Sequence, residues 1–245
     1  MSKGRLLLLG GGSDIGLAVA RRYAFAGYDI CLAGRNIKEI KKNADIIKIK
    51  FDVESHGALF DALDFDSHQA FYDSLDPKPD GVITAFGYPY DIEKPDGDFY
   101  ECRKVIDVTY TGAVSILNII ARDFENHKSG FIVGISSVAG DRGRAKNFVY
   151  GGAKAAFTTY LSGLRARLHA SSVHVMTVKP GWVATKATEK LDLPSTLVGK
   201  PEDVADDIFS AQQKGKNVIY TRWYWRIIMY FIIHMPEFIF KRMKF

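Results

Sequence analysis

Arg5-Leu6-Leu7-Leu8-Leu9-Gly10-Gly11-Gly12-Ser13-Asp14-Ile15-Gly16 is the stretch around which the rest of the chain can be organised. Its apolar run, glycine cluster and following small and apolar residues read as a strand, a tight turn and a helix from about Ile15 to Ala26. Glycines permit close backbone approach, and the open N–H groups at a helix start suit a pyrophosphate. Gly10, Gly12, Ser13, Ile15 and Gly16 are therefore candidate cradle residues. Such a turn can also be a bare connection, but its place at the first strand-to-helix junction favours nucleotide binding. A carboxylate aimed at phosphate would repel it, so Asp14 is expected to cap the helix with its side chain turned away.

Outward from that turn, apolar runs and helical periodicity predict strands near Tyr28–Ala33 and Ile46–Phe51, the second reached through a short helix. A helix near 55–75 and a strand at Gly81–Ala85 come next. A long helix from about Phe99 to Phe124, a strand at Gly130–Ile135, a helix from about Phe148 to His169 and a strand at Val173–Val178 complete the pattern. This alternation implies an α/β fold, a parallel sheet wrapped by helices on both faces. With no linker or repeat in 245 residues, one domain over residues 1–220 with a tail at 221–245 is the expected organisation. Sheets of this kind bind ligands at the carboxyl ends of their strands.

Candidate residues fall at those ends. Arg35 follows the second strand, where an acid would favour NAD; a guanidinium fork matches a 2′-phosphate instead, which favours NADP. Asp52 and Val53 end the expected third strand, where a carboxylate could accept from an adenine amino group or simply cap the next segment. Ala85 and Gly87 end the fourth. After the fifth come Ser137, Tyr150 and Lys154. If Tyr150 opens a helix, Lys154 lies one turn along, and its ammonium can lower the phenol pKa from about 10 toward neutrality. Tyr-x-x-x-Lys alone is weak evidence, because Tyr90/Lys94 and Tyr100/Lys104 repeat it. Only Tyr150/Lys154 follows an apolar run ending in Ser136-Ser137 and is flanked by Gly151-Gly152-Ala153, small residues that admit a cofactor.

Composition narrows the function classes. Cys31 and Cys102 lack metal-ligand spacing and the six histidines are scattered, so free thiols in a reducing, cytoplasmic setting and no metal site are expected. The apolar run at Leu6–Leu9 is too short for a signal peptide. All of the +5 net charge lies in residues 216–245, where Lys216, Arg222, Arg226, Lys241, Arg242 and Lys244 face only Glu237. That argues against a nucleic-acid surface on the body. Trp223 to Phe240 is aromatic and aliphatic but too interrupted for a transmembrane helix. It suits either the inner face of a membrane or packing against the body or a sister subunit.

With these residues in order, and with Pro180-Gly181-Trp182-Val183-Ala184-Thr185 behind them, the chain resembles the short-chain dehydrogenase/reductase family over about residues 4–214. The resemblance implies a single-domain Rossmann-type doubly wound sheet, an NAD(P)-dependent oxidoreductase and a homo-oligomer. It implies Tyr150 as acid/base, Lys154 as holder of the nicotinamide ribose and Ser137 as donor to the substrate oxygen. Val183 and Thr185 are implied at the nicotinamide carboxamide, beside Pro180 and Gly181. Asp14 replaces the family's middle glycine, Thr84-Ala85-Phe86-Gly87 its Asn-Asn-Ala-Gly, and Thr109 the asparagine of its proton relay; a threonine hydroxyl can still hold a water. Gly11-Gly12-Ser13-Asp14-Ile15-Gly16-Leu17-Ala18, Ala85 to Tyr88 and Lys179–Lys186 are similar to one branch. Its reductases complete epimerisation of a polyprenyl-phosphate-linked ribose in cell envelope biosynthesis, reducing a 2-keto sugar. A soluble ketone substrate and a non-catalytic NADP-binding sensor or scaffold are the alternatives.

Overall fold

The computed structural model describes residues 2–88, 98–189 and 191–243. Seven parallel strands form one sheet in the order β3-β2-β1-β4-β5-β6-β7. They are β1 (Arg5–Leu9), β2 (Asp29–Gly34), β3 (Ser55–Leu59), β4 (Gly81–Thr84), β5 (Phe131–Ile135), β6 (His174–Pro180) and β7 (Val218–Thr221). The order reverses between β1 and β4, which opens a crevice at the carboxyl edge. Leu6 to Leu9 are fully buried because helices cover both faces. Leu6 and Leu8 point into one core with α1 (Asp14–Phe25), α2 (Ile37–Phe51) and α7 (Pro201–Gln213). Leu7 and Leu9 point into the other, with α3 (Ser67–Asp73), α5 (Gly112–His127) and α6 (Phe148–Leu168).

Two expected elements need correction. The strand at Ile46–Phe51 is the last part of α2, whose Ile40, Ala44 and Ile47 are buried at helical spacing while Ile49 is 85% exposed. Asn36 caps that helix, its side chain accepting the Glu39 N–H at 3.3 Å. The true third strand is Ser55-His56-Gly57-Ala58-Leu59, inside the stretch read as a helix; as a partly exposed edge strand it carries only a weak apolar signal.

The long fourth helix is three pieces: α4 (Phe99–Ile106), a π-helical turn at Asp107–Thr111, and α5. By length and composition Phe99–His127 could cross a membrane, but half of its most apolar window is buried inside the fold. The tail forms α8 (Tyr224–His234) and α9 (Glu237–Phe240).

Candidate active site at the carboxyl edge of the sheet

The glycine turn closes tightly on the fourth strand. Gly10 has φ +92°, and a Cβ there would lie 2.7 Å from the Ala85 carbonyl carbon. Ser13 caps α1: its Oγ accepts the Gly16 N–H at 3.0 Å and lies 2.9 Å from the Gly10 and Ala85 carbonyl oxygens. Among the described residues Gly12 has only Ile40 Cδ1 within 4 Å of its missing Cβ, so its face is open. Asp14 is not the cap; its Oδ2 accepts the Lys186 N–H at 2.8 Å. The amides of Asp14 and Ile15 lie in the first turn, where a helix offers no internal acceptor, and can receive an anionic group. Arg35 is exposed immediately after β2.

Asp52 and Val53 do not belong here. Asp52 is the left-handed C-cap of α2, with φ 54°, and both residues precede β3, which places them at the opposite edge of the parallel sheet. The carboxylate beyond β3 is Asp61. The preceding Phe60 donates its N–H to Gly34 O at 3.2 Å, while Asp61 Oδ1 accepts from Leu63 N at 3.0 Å and its carbonyl lies 2.9 Å from His68 Nε2. Asn36 followed by Glu39, a helix-start signal, could have revealed the shift.

Around Ser137 the backbone of β5 sits flush on α6. Ser136, which the motif reading passed over, bonds Lys154 O at 3.0 Å and Thr158 Oγ1 at 2.7 Å. A Cβ on Gly151 would lie 2.8 Å from the Ala139 carbonyl oxygen. Gly151 thus serves helix-to-loop contact, while Gly152 beside it has open space. Ser137 Oγ accepts the Ala139 N–H at 3.1 Å, which leaves its own proton for the Tyr150 oxygen.

Lys154 is only 4% exposed; its Nζ donates to Ile135 O at 2.8 Å and lies 5.8 Å from the centre of the Tyr150 ring. Burial pulls the Lys154 pKa down to about 8. Burial pushes the Tyr150 phenol up to about 12, against an opposing hydrogen bond from Ser137. The phenol is thus displaced away from neutrality, because desolvation outweighs the Ser137 hydrogen bond.

Thr109 lies within the π-helical turn. Its Oγ1 is buried and has no hydrogen-bond partner among the described residues. That oxygen and Lys154 Nζ each lie 3.9 Å from where Gly87 would carry a Cβ, so Gly87 borders both. Of the other tyrosine–lysine pairs, Tyr90/Lys94 falls outside the described residues. Tyr100 is exposed and Lys104 pairs with Glu101 at 2.6 Å on the solvent side of α4.

β6 delivers Pro180, Gly181 and buried Val183 to the same edge. Val183 pairs with Gly199, closing residues 184–198 into a loop, and the Thr185 N–H donates to Thr188 Oγ1 at 3.0 Å. Asp14, Thr185, Lys186 and Leu191 help line a cleft of about 760 Å³ between this loop and α1. The indole of Trp225 covers Gly181, where a Cβ would fall within 2.1 Å of its Nε1, and packs edge-on against Trp182 at 5.2 Å. Trp225 and Met229 also enclose Val138, the residue after Ser137. The tail beyond β7 therefore walls the site.

The segment after Val138 is fixed by charge. Asp141 pairs with Lys179 at 2.5 Å and accepts from Tyr220 at 2.7 Å. Arg142 donates to the Ile232 and Met235 carbonyls at 2.5 and 2.6 Å and to Glu237 at 2.8 Å. No spacing rule links Arg142 to partners some ninety residues away.

The pattern of the short chain dehydrogenase family matches residues 5–195. An uncharacterized oxidoreductase of Mycobacterium tuberculosis is 33% identical over 241 residues, covering 97% of this chain and 96% of that protein. An uncharacterized oxidoreductase of Streptomyces coelicolor is 32% identical, covering 97% and 95%. Among solved structures, a short-chain type dehydrogenase/reductase from Mycobacterium ulcerans superposes with a TM-score of 0.80 at 23% identity, covering 92% of this chain and 91% of that one. A short-chain dehydrogenase from Sphingobium yanoikuyae, solved in complex with NADPH, gives 0.78 at 19% identity, covering 95% and 96%. With its sheet order, its glycine turn and a family match over most of its length, the chain belongs to the short chain dehydrogenase family of oxidoreductases.

Proposed function

We propose that the protein reduces a ketone to a secondary alcohol with NADPH, at the site formed by Ser137, Tyr150 and Lys154. The observation that carries this reading is convergence: these three side chains, Gly87 and the Thr109 hydroxyl, unpartnered among the described residues, meet at the edge that also holds the glycine turn. The residues fit a nicotinamide dinucleotide. Gly12 leaves an open face at the start of α1, and Gly87 leaves space beside a buried ammonium and a buried hydroxyl.

When bound, NADPH supplies the hydride. Gly10, Gly12, Ser13, Ile15 and Gly16 would cradle its diphosphate, Asp61 would serve the adenine in place of Asp52, and Arg35 would take the 2′-phosphate. Pro180, Gly181, Val183 and Thr185 would border the nicotinamide. Lys154 keeps most of its charge below about pH 8 and has two N–H groups beyond its bond to Ile135, enough to hold ribose hydroxyls. Tyr150, protonated up to about pH 12, is set to donate a proton to the developing alkoxide. Ser137 would donate to the same oxygen, and two placed donors stabilise charge where it forms. Thr109 would pass the replacement proton through a held water.

The substrate class we propose is a keto-sugar carried on a polyprenyl phosphate, supported by the branch-like segments Gly11–Ala18, Ala85–Tyr88 and Lys179–Lys186. The test follows NADPH absorbance with a polyprenyl-phosphate 2-keto-pentose, a nucleotide keto-sugar and a simple ketone. Turnover confined to soluble ketones overturns the lipid-linked class, and no turnover with any of them overturns the reductase. Tyr150→Phe is expected to lose about 10²–10⁴ in kcat while retaining NADPH affinity. Near-normal turnover in that variant removes Tyr150 from its role.

A further inference from the structure

We propose that the outward side of α8, together with α9, docks the protein on an anionic lipid surface beside the mouth of the active site. α8 is apolar nearly all round. Trp225, Met229 and Ile232 recur at helical spacing on its inner side against Val138, Trp182 and Leu197. The other side of a surface helix is ordinarily polar. Here it carries Trp223, Ile227, Tyr230 and Phe231, exposed by 72%, 50%, 60% and 65%, and α9 adds exposed Phe238 and Ile239.

The fold leaves this face no way to turn inward. Arg142, itself 14% exposed, holds the Ile232 and Met235 carbonyls at the end of α8 and stacks 3.8 Å from the Phe240 ring in α9. Trp225 fills the space over Gly181 on the inner side. Among the described residues none covers this face, and the proposal takes its covering surface from outside the chain.

Charge selects what covers it. Glu237 is the only carboxylate in residues 216–245, and Arg142 holds it in an ion pair at 2.8 Å. Arg226, Lys241 and Arg242 are exposed around the apolar residues. Two copies meeting through this face would bring like charges together. An anionic lipid interface instead accepts tryptophan and tyrosine rings and basic side chains at the same depth. Because the inner side of α8 walls the Ser137 segment, docking would hold the catalytic edge close to the lipid headgroups. The proposal rests on this surface and not on the substrate class.

The test is co-sedimentation of the full chain with vesicles of phosphatidylcholine alone and with added phosphatidylglycerol, read alongside size-exclusion light scattering. Binding to the anionic vesicles is expected, weakening about fivefold for each basic residue removed in Lys241→Gln and Arg242→Gln. Ile227→Asp/Phe231→Asp is expected to lose binding at least about tenfold with unchanged melting temperature and unchanged turnover of a soluble ketone. Equal pelleting of that double variant overturns the proposal. So does a salt-insensitive dimer that dissociates in the double variant, because a second copy would then be the occupant.

Discussion

α6 and α8 both press on the Ser137 segment, and they break the ordinary rule of burial in opposite directions. α6 buries an ammonium: Lys154 lies on the helix that also buries Phe157, Leu161 and Leu164, and its pKa is pulled down to about 8. α8 leaves Tyr230 and Phe231 in water while its neighbouring turns bury Trp225 and Met229. Both choices cost stability, one through desolvated charge and one through apolar area that folding does not remove from water. Local violations of this kind mark positions selected for something other than folding, chemistry inside and contact outside.

The largest test of that contrast is Lys154→Met, which keeps the length of the side chain and removes the charge. Turnover is expected to fall by at least about a hundredfold. Stability at pH 7 is expected to rise by up to about 3 kcal/mol, the equivalent of the pKa displacement, less what the Ile135 carbonyl loses. The folded pKa of about 8 lies below the ordinary 10.5, so between those values the unfolded chain binds more protons. Wild-type stability should therefore gain with pH across that window, and the methionine variant should lack the gain. Denaturant melts at pH 7 and pH 10 read both quantities. A less stable variant with an unchanged pH slope would show that the buried lysine is structural.

On the α8 side, Arg142→Ala removes the clamp on the helix end and is expected to cost about 2–4 kcal/mol, since the lost hydrogen bonds are charge-assisted. The loss should be local. Amide exchange should accelerate in α8 and α9, and KM for the ketone should rise several-fold because Val138 loses support from Trp225. NADPH affinity should fall less than ketone affinity, because the glycine turn follows β1, away from β6 in the sheet. Arg142→Lys should rescue little, as an ammonium cannot fork between the Met235 carbonyl and Glu237. A loss of NADPH binding equal to the loss of ketone binding would dissolve the distinction between the two helices.

What could be read from sequence follows from where the signal lies. Leu6 to Leu9 and the strands beside β1 are buried on both faces, so their apolar runs predicted them closely. β3 lies at the sheet edge and is half exposed, and the isoleucines at the end of α2 offered a stronger decoy; Asp52 and Val53 were misplaced with it. Ser137, Tyr150 and Lys154 share one short segment and were legible as a set. Ser136 and Arg142 were not, because each acts through partners distant in the chain, and Asp61 was missed because the third strand was placed too early. The direction of the Tyr150 pKa was illegible for a related reason: spacing reports that a lysine is near, and burial, which decides the sign, depends on the whole fold.

The smallest effect separates the two sides of the loop at 184–198. Asp14 ties it to α1 through the Lys186 N–H at 2.8 Å, and the Tyr224 hydroxyl of α8 reaches Leu197 O at 3.4 Å. Asp14→Asn keeps an acceptor for Lys186 but removes a negative charge from the start of α1. NADPH affinity is then expected to rise by about two- to fivefold, the scale of a charge at a helix terminus, with KM for the ketone unchanged. Asp14→Ala removes acceptor and charge together. It should gain the same NADPH affinity and lose up to about tenfold in KM, the equivalent of one exposed hydrogen bond. Fluorescence titration of NADPH and steady-state kinetics measure the two terms separately. If alanine and asparagine behave alike in KM, the loop is held from the α8 side alone. The aromatic helix would then be the element that sets access to Tyr150.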